Sequence, residues 1–314
     1  MCTAISYLGK DHYFGRNLDL ELHLREQVVI APRRFLLSGL DNHYALIGMA
    51  TVAKGYPLFF EATNERGLSA AALNFPGNAV YHMHESGKLA IPSYDLIAYV
   101  LSRCSTVEEA KQLLIDSVIT PDVFGENIPP SPLHWLIADR EKALVVESTA
   151  EGLQVYENPV GVLTNNPTFP MHMTNLCNYM SLTADNPENR IAPGVSLESY
   201  SRGMGAMGLP GDFSSPSRFV RAVFVKYASQ DTDGLSQFFH MLGAVEQPDG
   251  CVRVGEGFQK TLYSCCCDTA KGIYYYTTYG NRQITAIDMR KADLDSTALS
   301  AFPLVTDQQI RWEN

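Results

Sequence analysis

The chain has 314 residues, 46% of them hydrophobic and 18% charged, with a formal net charge of −10. This is ordinary globular composition with length for one large domain, and the acidic balance excludes the basic footprint that nucleic acid or an anionic membrane surface demands. No stretch reaches the roughly 18 apolar residues of a transmembrane helix, and the opening MCTAISYLGKDHYFGRNLDL lacks the charged-then-apolar layout of a signal peptide, so the expectation is a cytoplasmic protein with no membrane partner.

Short strands dominate both ends of the chain. Residues 3–8 and 12–18 flank Gly9-Lys10-Asp11, a hairpin-sized turn. Residues 27–31 and 44–52 read as further strands, and 59–63 and 68–73 flank a second hairpin turn, Asn64-Glu65-Arg66-Gly67. Helices follow. Ser93 opens one that carries Leu96, Ile97, Val100 and Leu101 on one face, and Ser105 with Glu108 forms a capping box over 106–118. Strand patterns return at 134–138, 143–148 and 153–156. Ser215-Pro216 starts a helix with Arg218 in its first turn, and another helix spans 235–245. The strands 261–267, 273–279 and 283–289, joined at Lys271-Gly272 and Gly280-Asn281, form an antiparallel meander. Strands, then helices, then strands again predict an α+β fold rather than alternating βαβ units. With no repeat or linker in sight, residues 1–314 form a single domain.

Several patterns are weaker than they look. The seven cysteines are Cys2, Cys104, Cys177, Cys251, Cys265, Cys266 and Cys267. An odd count without a secretion signal argues against a disulfide framework. Cys265–Cys267 fall in a strand, where neighbours alternate between faces and cannot share one metal; they read as buried small hydrophobes. Gly203, Gly205 and Gly208 match G-x-G-x-x-G but lack the strand and helix that a dinucleotide site needs. His82 and His84, beside Glu85, have no matching third ligand and read as a polar loop. No G-x-S-x-G, P-loop or H-E-x-x-H occurs.

Cys2 is different in kind. The initiator methionine is commonly removed ahead of a small residue, which would leave a thiol and a free α-amine on one residue. An α-amine has a reference pKa of about 7.7–8.0 and a thiol of about 8.5. The amine can therefore take the thiol proton near neutral pH and later return it to a leaving group. The first hairpin brings Arg16 and Asp19 back toward Cys2. Arg16 supplies a fixed positive charge that favours a thiolate, and Asp19 an acceptor for the α-ammonium. From their positions alone, Arg16 and Asp19 are equally a surface ion pair.

Met-Cys-Thr at the start, Phe14-Gly15-Arg16-Asn17-Leu18-Asp19, Leu73-Asn74-Phe75-Pro76, Leu163-Thr164-Asn165-Asn166-Pro167 and Ser217-Arg218-Phe219 follow in order. Gly272-Ile273-Tyr274-Tyr275-Tyr276 and Ile287-Asp288-Met289 complete the series. Together they resemble the choloylglycine hydrolase family, which contains bile salt hydrolases and penicillin V acylases. The resemblance implies the N-terminal-nucleophile fold: four layers, αββα, with two antiparallel sheets inside. It further implies a homotetramer that uses no metal or organic cofactor. Cys2 matches the nucleophile, with Arg16 and Asp19 beside it. Asn165 matches the oxyanion-stabilising asparagine, Asn74 the second contributor to that hole, and Arg218 the arginine completing the electrostatic setting. Such donors are what a tetrahedral oxyanion needs: the Asn165 side-chain NH₂ and the Asn74 backbone N–H are the candidates. Taken alone, Asn165-Asn166-Pro167 is equally a turn.

Two features bear on the substrate. Asparagine at position 74 is typical of the family's bile salt hydrolases, where penicillin V acylases often carry tyrosine. Leu18, Phe60, Phe124 and Ile128 match positions lining a steroid pocket, though they read equally as ordinary core. The loop Tyr200-Ser201-Arg202-Gly203 resembles the variant tied to glycine rather than taurine conjugates. The resemblance thus implies hydrolysis of the amide between a bile acid and glycine or taurine, through a thioester on Cys2. The alternatives are another amide substrate on the same machinery, such as penicillin V or an acyl homoserine lactone, and a non-catalytic small-molecule binder.

Overall fold

Gly9, Lys10 and Asp11 close a hairpin of Cys2–Leu8 and His12–Leu20, in a register that sets Cys2 opposite Leu18 and Ala4 opposite Arg16. This hairpin is the middle of the first sheet in a computed structural model that describes residues 1–126, 128–230 and 234–314. On its far side His12–Leu20 pairs with Gly257–Asp268, and the meander continues through Ile273–Thr278 to Thr285–Asp288. On its near side Cys2–Leu8 pairs with the short strand Val162–Leu163, with Leu163 opposite Ala4. Running antiparallel, that strand carries the chain past Cys2 just as it reaches Asn165.

The second sheet has eight strands among the described residues, in the order Gly152–Glu157, Ala143–Thr149, Leu133–Ala138, Ser69–Asn74, Tyr56–Asn64, Leu46–Ala53, Gln27–Ala31 and Ser300–Pro303. Its neighbours all pair antiparallel. Alternation along these strands sorts the core into two. Val28, Ile30, Ile47, Ala71 and Leu73 join the first sheet and the helices Ser215–Ala228 and Gly234–Gly243. Val29, Ala31, Leu46, Ala70 and Ala72 join the helices Leu96–Arg103 and Val107–Ile115. The architecture is therefore the expected αββα sandwich.

Local departures from the predicted elements have identifiable causes. The first helix starts after Asp95, not Ser93: Ser93 Oγ caps no helical N–H, and Ser93 N–H donates to Thr120 O. Leu89–Pro92 and Ser117–Thr120 form an unpredicted parallel pair, which ends the second helix at Ile115 instead of 118. Its cap lies one residue later than read: Thr106 Oγ1 accepts from Glu109 N, and the Glu109 carboxylate accepts from Ser105 N at 2.6 Å. The helix Phe169–Leu176 and the edge strand Ser300–Pro303 carried no sequence signal strong enough to predict. Asn64 makes the second hairpin more than a turn: its Oδ1 accepts from Arg66 N and Leu68 N, while its Nδ2 donates to Leu101 O and Cys104 O.

Backbones approach closely at Gly15, where a Cβ would lie 1.9 Å from Cys265 O and 2.6 Å from Cys266 Cα. A methyl there must prise His12–Leu20 from Gly257–Asp268, next to Arg16. Gly15→Ala is expected to cost about 3 kcal/mol, the upper end for overpacking, measured as a fall in the midpoint of denaturant unfolding.

Candidate active site

Residues directly opposite in an antiparallel pair share a face. Cys2, Ala4, Arg16 and Leu18 therefore point into the space between the sheets, while Thr3, Asn17 and Asp19 point to the outer helices. Arg16 and Asp19 consequently reach the Cys2 region from opposite sides of the sheet, each with its own partners. Both are fully buried, which rules out the surface ion pair left open by their positions in sequence.

On the inner side, the Arg16 guanidinium crosses to the second sheet. Its Nη1 donates to Ala72 O at 2.5 Å and Phe60 O at 3.2 Å, and lies 3.7 Å from Glu61 Oε2. Burial works against this charge, but the acidic groups facing it, Cys2, Tyr263 and Glu61, hold its pKa above the ordinary value.

On the outer side, Arg218 projects from the first turn of its helix. It donates from Nη1 to Cys2 O and Thr3 Oγ1, both at 2.6 Å, from Nη2 to Asn165 Oδ1 at 2.8 Å, and from Nε to Phe213 O at 3.0 Å. Asp19 accepts from Thr261 Oγ1 at 2.6 Å through Oδ1; its Oδ2 lies 4.0 Å from Arg218 and makes no hydrogen bond. Burial raises the Asp19 pKa and lowers that of Arg218.

Asn165 joins these groups. Its Oδ1 accepts from Cys2 N at 2.7 Å as well as from Arg218, and its Nδ2 donates to Asn74 O at 2.7 Å. Asn74 thus meets Asn165 through its carbonyl, a contact separate from the backbone N–H that the sequence reading offered to an oxyanion. Phe75 N–H donates to Pro132 O, so Asn74 and Leu133 form a non-hydrogen-bonded pair and the Asn74 carbonyl points away from that strand. The Met1 amine donates to Asp19 O at 2.5 Å and Gln259 Oε1 at 3.1 Å, so Met1 extends the hairpin by one residue.

A buried clamp around Asn165 escaped sequence reasoning. Asn165 N donates to Ser215 Oγ at 2.8 Å, and its carbonyl accepts from His172 Nε2 at 2.8 Å. The Thr164 carbonyl accepts from His134 Nε2, whose other ring nitrogen lies 3.2 Å from Glu147 Oε1. Phe75 stacks on His134 with ring centroids 4.2 Å apart. Of these, Ser215 carried only a helix-start signal, and isolated histidines carry no local signature.

The apolar residues expected to line a pocket divide into two pairs. Leu18 is buried opposite Cys2, and Phe60 packs on the same interlayer core. Phe124 and Ile128 bridge each other in a loop, where the Phe124 ring meets Tyr94 and also Tyr56, at the start of the strand that carries Phe60. His82 is held by Thr149 O and His84 faces Asp122, while residues 200–203 are exposed.

The model for linear amide C–N hydrolases of the choloylglycine hydrolase family matches residues 2–302. The chain belongs to that family. It is therefore a hydrolase of linear amides with the N-terminal-nucleophile fold. The bile salt hydrolase/transferase of Lactiplantibacillus plantarum is 46% identical over 98% of each chain. The protein of that name from Clostridium perfringens is 41% identical over 96% of each. A crystal structure of the C. perfringens conjugated bile acid hydrolase, a cysteine-to-alanine mutant, superposes with a TM-score of 0.94 at 38% identity over the whole of both chains. Penicillin V acylase from Agrobacterium tumefaciens shares the fold, with a TM-score of 0.75 at 20% identity over 97% of this chain and 92% of that one.

The choloylglycine hydrolase clamp has a pH signature. Burial holds His172 at about 4 instead of 6.5. Between those values the unfolded chain binds a proton that the native protein does not, so stability falls as pH drops through the window. His172→Gln should lose about 1 kcal/mol less than wild type between about pH 6.5 and pH 5, read from urea unfolding at the two pH values.

Proposed function

We propose that the chain hydrolyses the amide joining a bile acid to glycine or taurine, with Cys2, freed of Met1, as nucleophile. The observation that carries this reading is the triple hold on Cys2: its N–H on Asn165 Oδ1, its carbonyl on Arg218, and its inner face toward Arg16. The names of the relatives supply the substrate class, and asparagine at position 74 fits it.

In the processed chain the Cys2 nitrogen becomes an amine on the same residue as the thiol. It takes the thiol proton, and the thiolate attacks the amide carbon. The carbonyl oxygen becomes an oxyanion. Asn165 Nδ2 has one hydrogen on Asn74 O and a second to offer this oxygen, and Asn74 completes the hole. The amine then delivers its proton to the departing glycine or taurine, leaving a thioester. Water, deprotonated by the same amine, releases the bile acid. Arg218 holds both the Cys2 carbonyl and Asn165 Oδ1, so nucleophile and oxyanion donor are kept in one frame. Asp19 offers its unpartnered oxygen to the α-ammonium. A thioester is also an acyl donor to amines, in keeping with the hydrolase/transferase names of the relatives.

Leu18, Phe60, Phe124 and Ile128 form the acyl side of the pocket in this reading, and residues 200–203 favour glycine conjugates. The assembly is a homotetramer in the cytoplasm, a compartment that suits seven free thiols.

Cys2→Ala should abolish release of glycine and taurine from conjugated cholic acids, and Asn165→Ala should lower kcat by about 100- to 1000-fold. A chain retaining Met1, verified by intact mass, should be inactive; full turnover by that form contradicts the mechanism. Faster cleavage of penicillin V than of either conjugate in the same assay would reassign the substrate.

A further inference from the structure

The mechanism leaves the buried carboxylate of Glu61 unused. Strict strand alternation would not put Phe60 and Glu61 on the same face. Here the register slips between Met49 and Ala50: Glu61 pairs with Met49 and Phe59 with Ala50, leaving Phe60 as the extra residue of a β-bulge. Phe59 and Ala62 accordingly lie in the core beneath the Leu96–Arg103 helix, while Phe60 packs against the interlayer core. The facing sheet slips as well, between Thr261 and Tyr263. Thr261 thereby meets Asp19 on the outer side, and Tyr263 lies opposite Leu18 on the inner side.

Together the two slips bring Glu61 into a closed set of donors. Its Oε2 accepts from the Tyr263 hydroxyl at 2.8 Å and lies 3.7 Å from Arg16 Nη1. Its Oε1 accepts from the Tyr274 hydroxyl at 2.6 Å and from Cys265 Sγ at 3.4 Å. Burial raises the pKa of Glu61, and Arg16 with the two hydroxyls opposes that rise. Tyr263, Tyr274 and Cys265 are pushed well above their ordinary values by burial and remain donors. Arg16 Nη2 makes no hydrogen bond among the described residues.

We propose that Glu61 is a positioning residue acting through Arg16: it anchors the guanidinium between the sheets and offsets part of its charge, which sets how strongly the site favours the Cys2 thiolate. This rests on Cys2 being the nucleophile. The charges around that thiol are then Arg16 backed by Glu61 on the inner side, and Arg218, Asp19 and the α-amine on the outer side. Neutralising Glu61 leaves Arg16 unbalanced and the thiolate more favoured.

The test uses the full, processed chain. Alkylation of Cys2 by iodoacetamide is followed against pH by mass of the N-terminal peptide, because Cys177 and Cys251 are also exposed. In Glu61→Gln the alkylation midpoint should fall by about 1 pH unit, the acid limb of kcat/KM for glycine-conjugated cholic acid should move with it, and KM should change less than kcat. A folded Glu61→Gln protein whose midpoint stays put or rises overturns the proposal. Should that variant not fold, Tyr274→Phe strips one donor from the carboxylate, leaves more of its negative charge facing Arg16, and should raise the midpoint by a smaller step; a fall or no movement there is equally fatal. Turnover that survives Cys2→Ala would instead overturn the mechanism, a result distinct from the midpoint read on the thiol itself.

Discussion

One guanidinium holds the site in place. Arg218 is fully buried and donates to the Cys2 carbonyl, the Thr3 hydroxyl and the Asn165 side chain. Each acceptor belongs to a different part of the functional geometry: the first strand's main chain, its outer face, and the segment leaving Val162–Leu163. A buried cation without such acceptors costs several kcal/mol, so the first strand and the Asn165 segment must arrive together for the Ser215–Ala228 helix to dock. Fold and site are here one constraint, because the interactions that satisfy the charge also align the groups proposed to react.

The second organising idea is two-sidedness. A strand has two faces, and the hairpin uses both at once. Arg16 reaches inward to backbone carbonyls of the second sheet, and Asp19 reaches outward to Thr261 and Arg218. Charges of opposite sign three residues apart thereby stay separated instead of neutralising each other. Each is then balanced locally, Arg16 by Glu61 and Asp19 by Arg218. Register slips on both sheets make this possible, since regular strands would send Glu61 or Tyr263 to the wrong side.

Much of this was legible in the residues. The hairpin turn at Gly9-Lys10-Asp11, the C-terminal meander and the helix at Ser215-Pro216 are written in local chemistry, and they place Cys2, Arg16, Asp19 and Arg218. Ordered motifs along the chain pointed to Asn74, Asn165 and the four-layer fold. What stayed hidden depends on tertiary pairing. A bulge at Phe60 leaves no local mark, so Glu61 looked like one more strand residue. His134, Glu147 and His172 become a clamp only when three separate segments meet. The Asn74 carbonyl turns to Asn165 because Asn74 and Leu133 are a non-hydrogen-bonded pair, a consequence of register that one strand's sequence does not show. The capping box moved by one residue for the same kind of reason: Ser105 and Thr106 both offer hydroxyls, and the docking of the turn chose between them.

The contacts of Met1 bear on when its proposed removal can occur. Its amine is engaged by Asp19 and by Gln259, which lies 258 residues further along the chain. Once the strand bearing Gln259 has paired, the amine is partly buried and bonded, a poor target for an exopeptidase. The removal of Met1 proposed above is therefore easiest on the nascent chain, in the interval before that strand leaves the ribosome. At about 5–20 residues per second, this leaves on the order of 10–50 s, and a slow translation pause upstream of Gly257 would lengthen it.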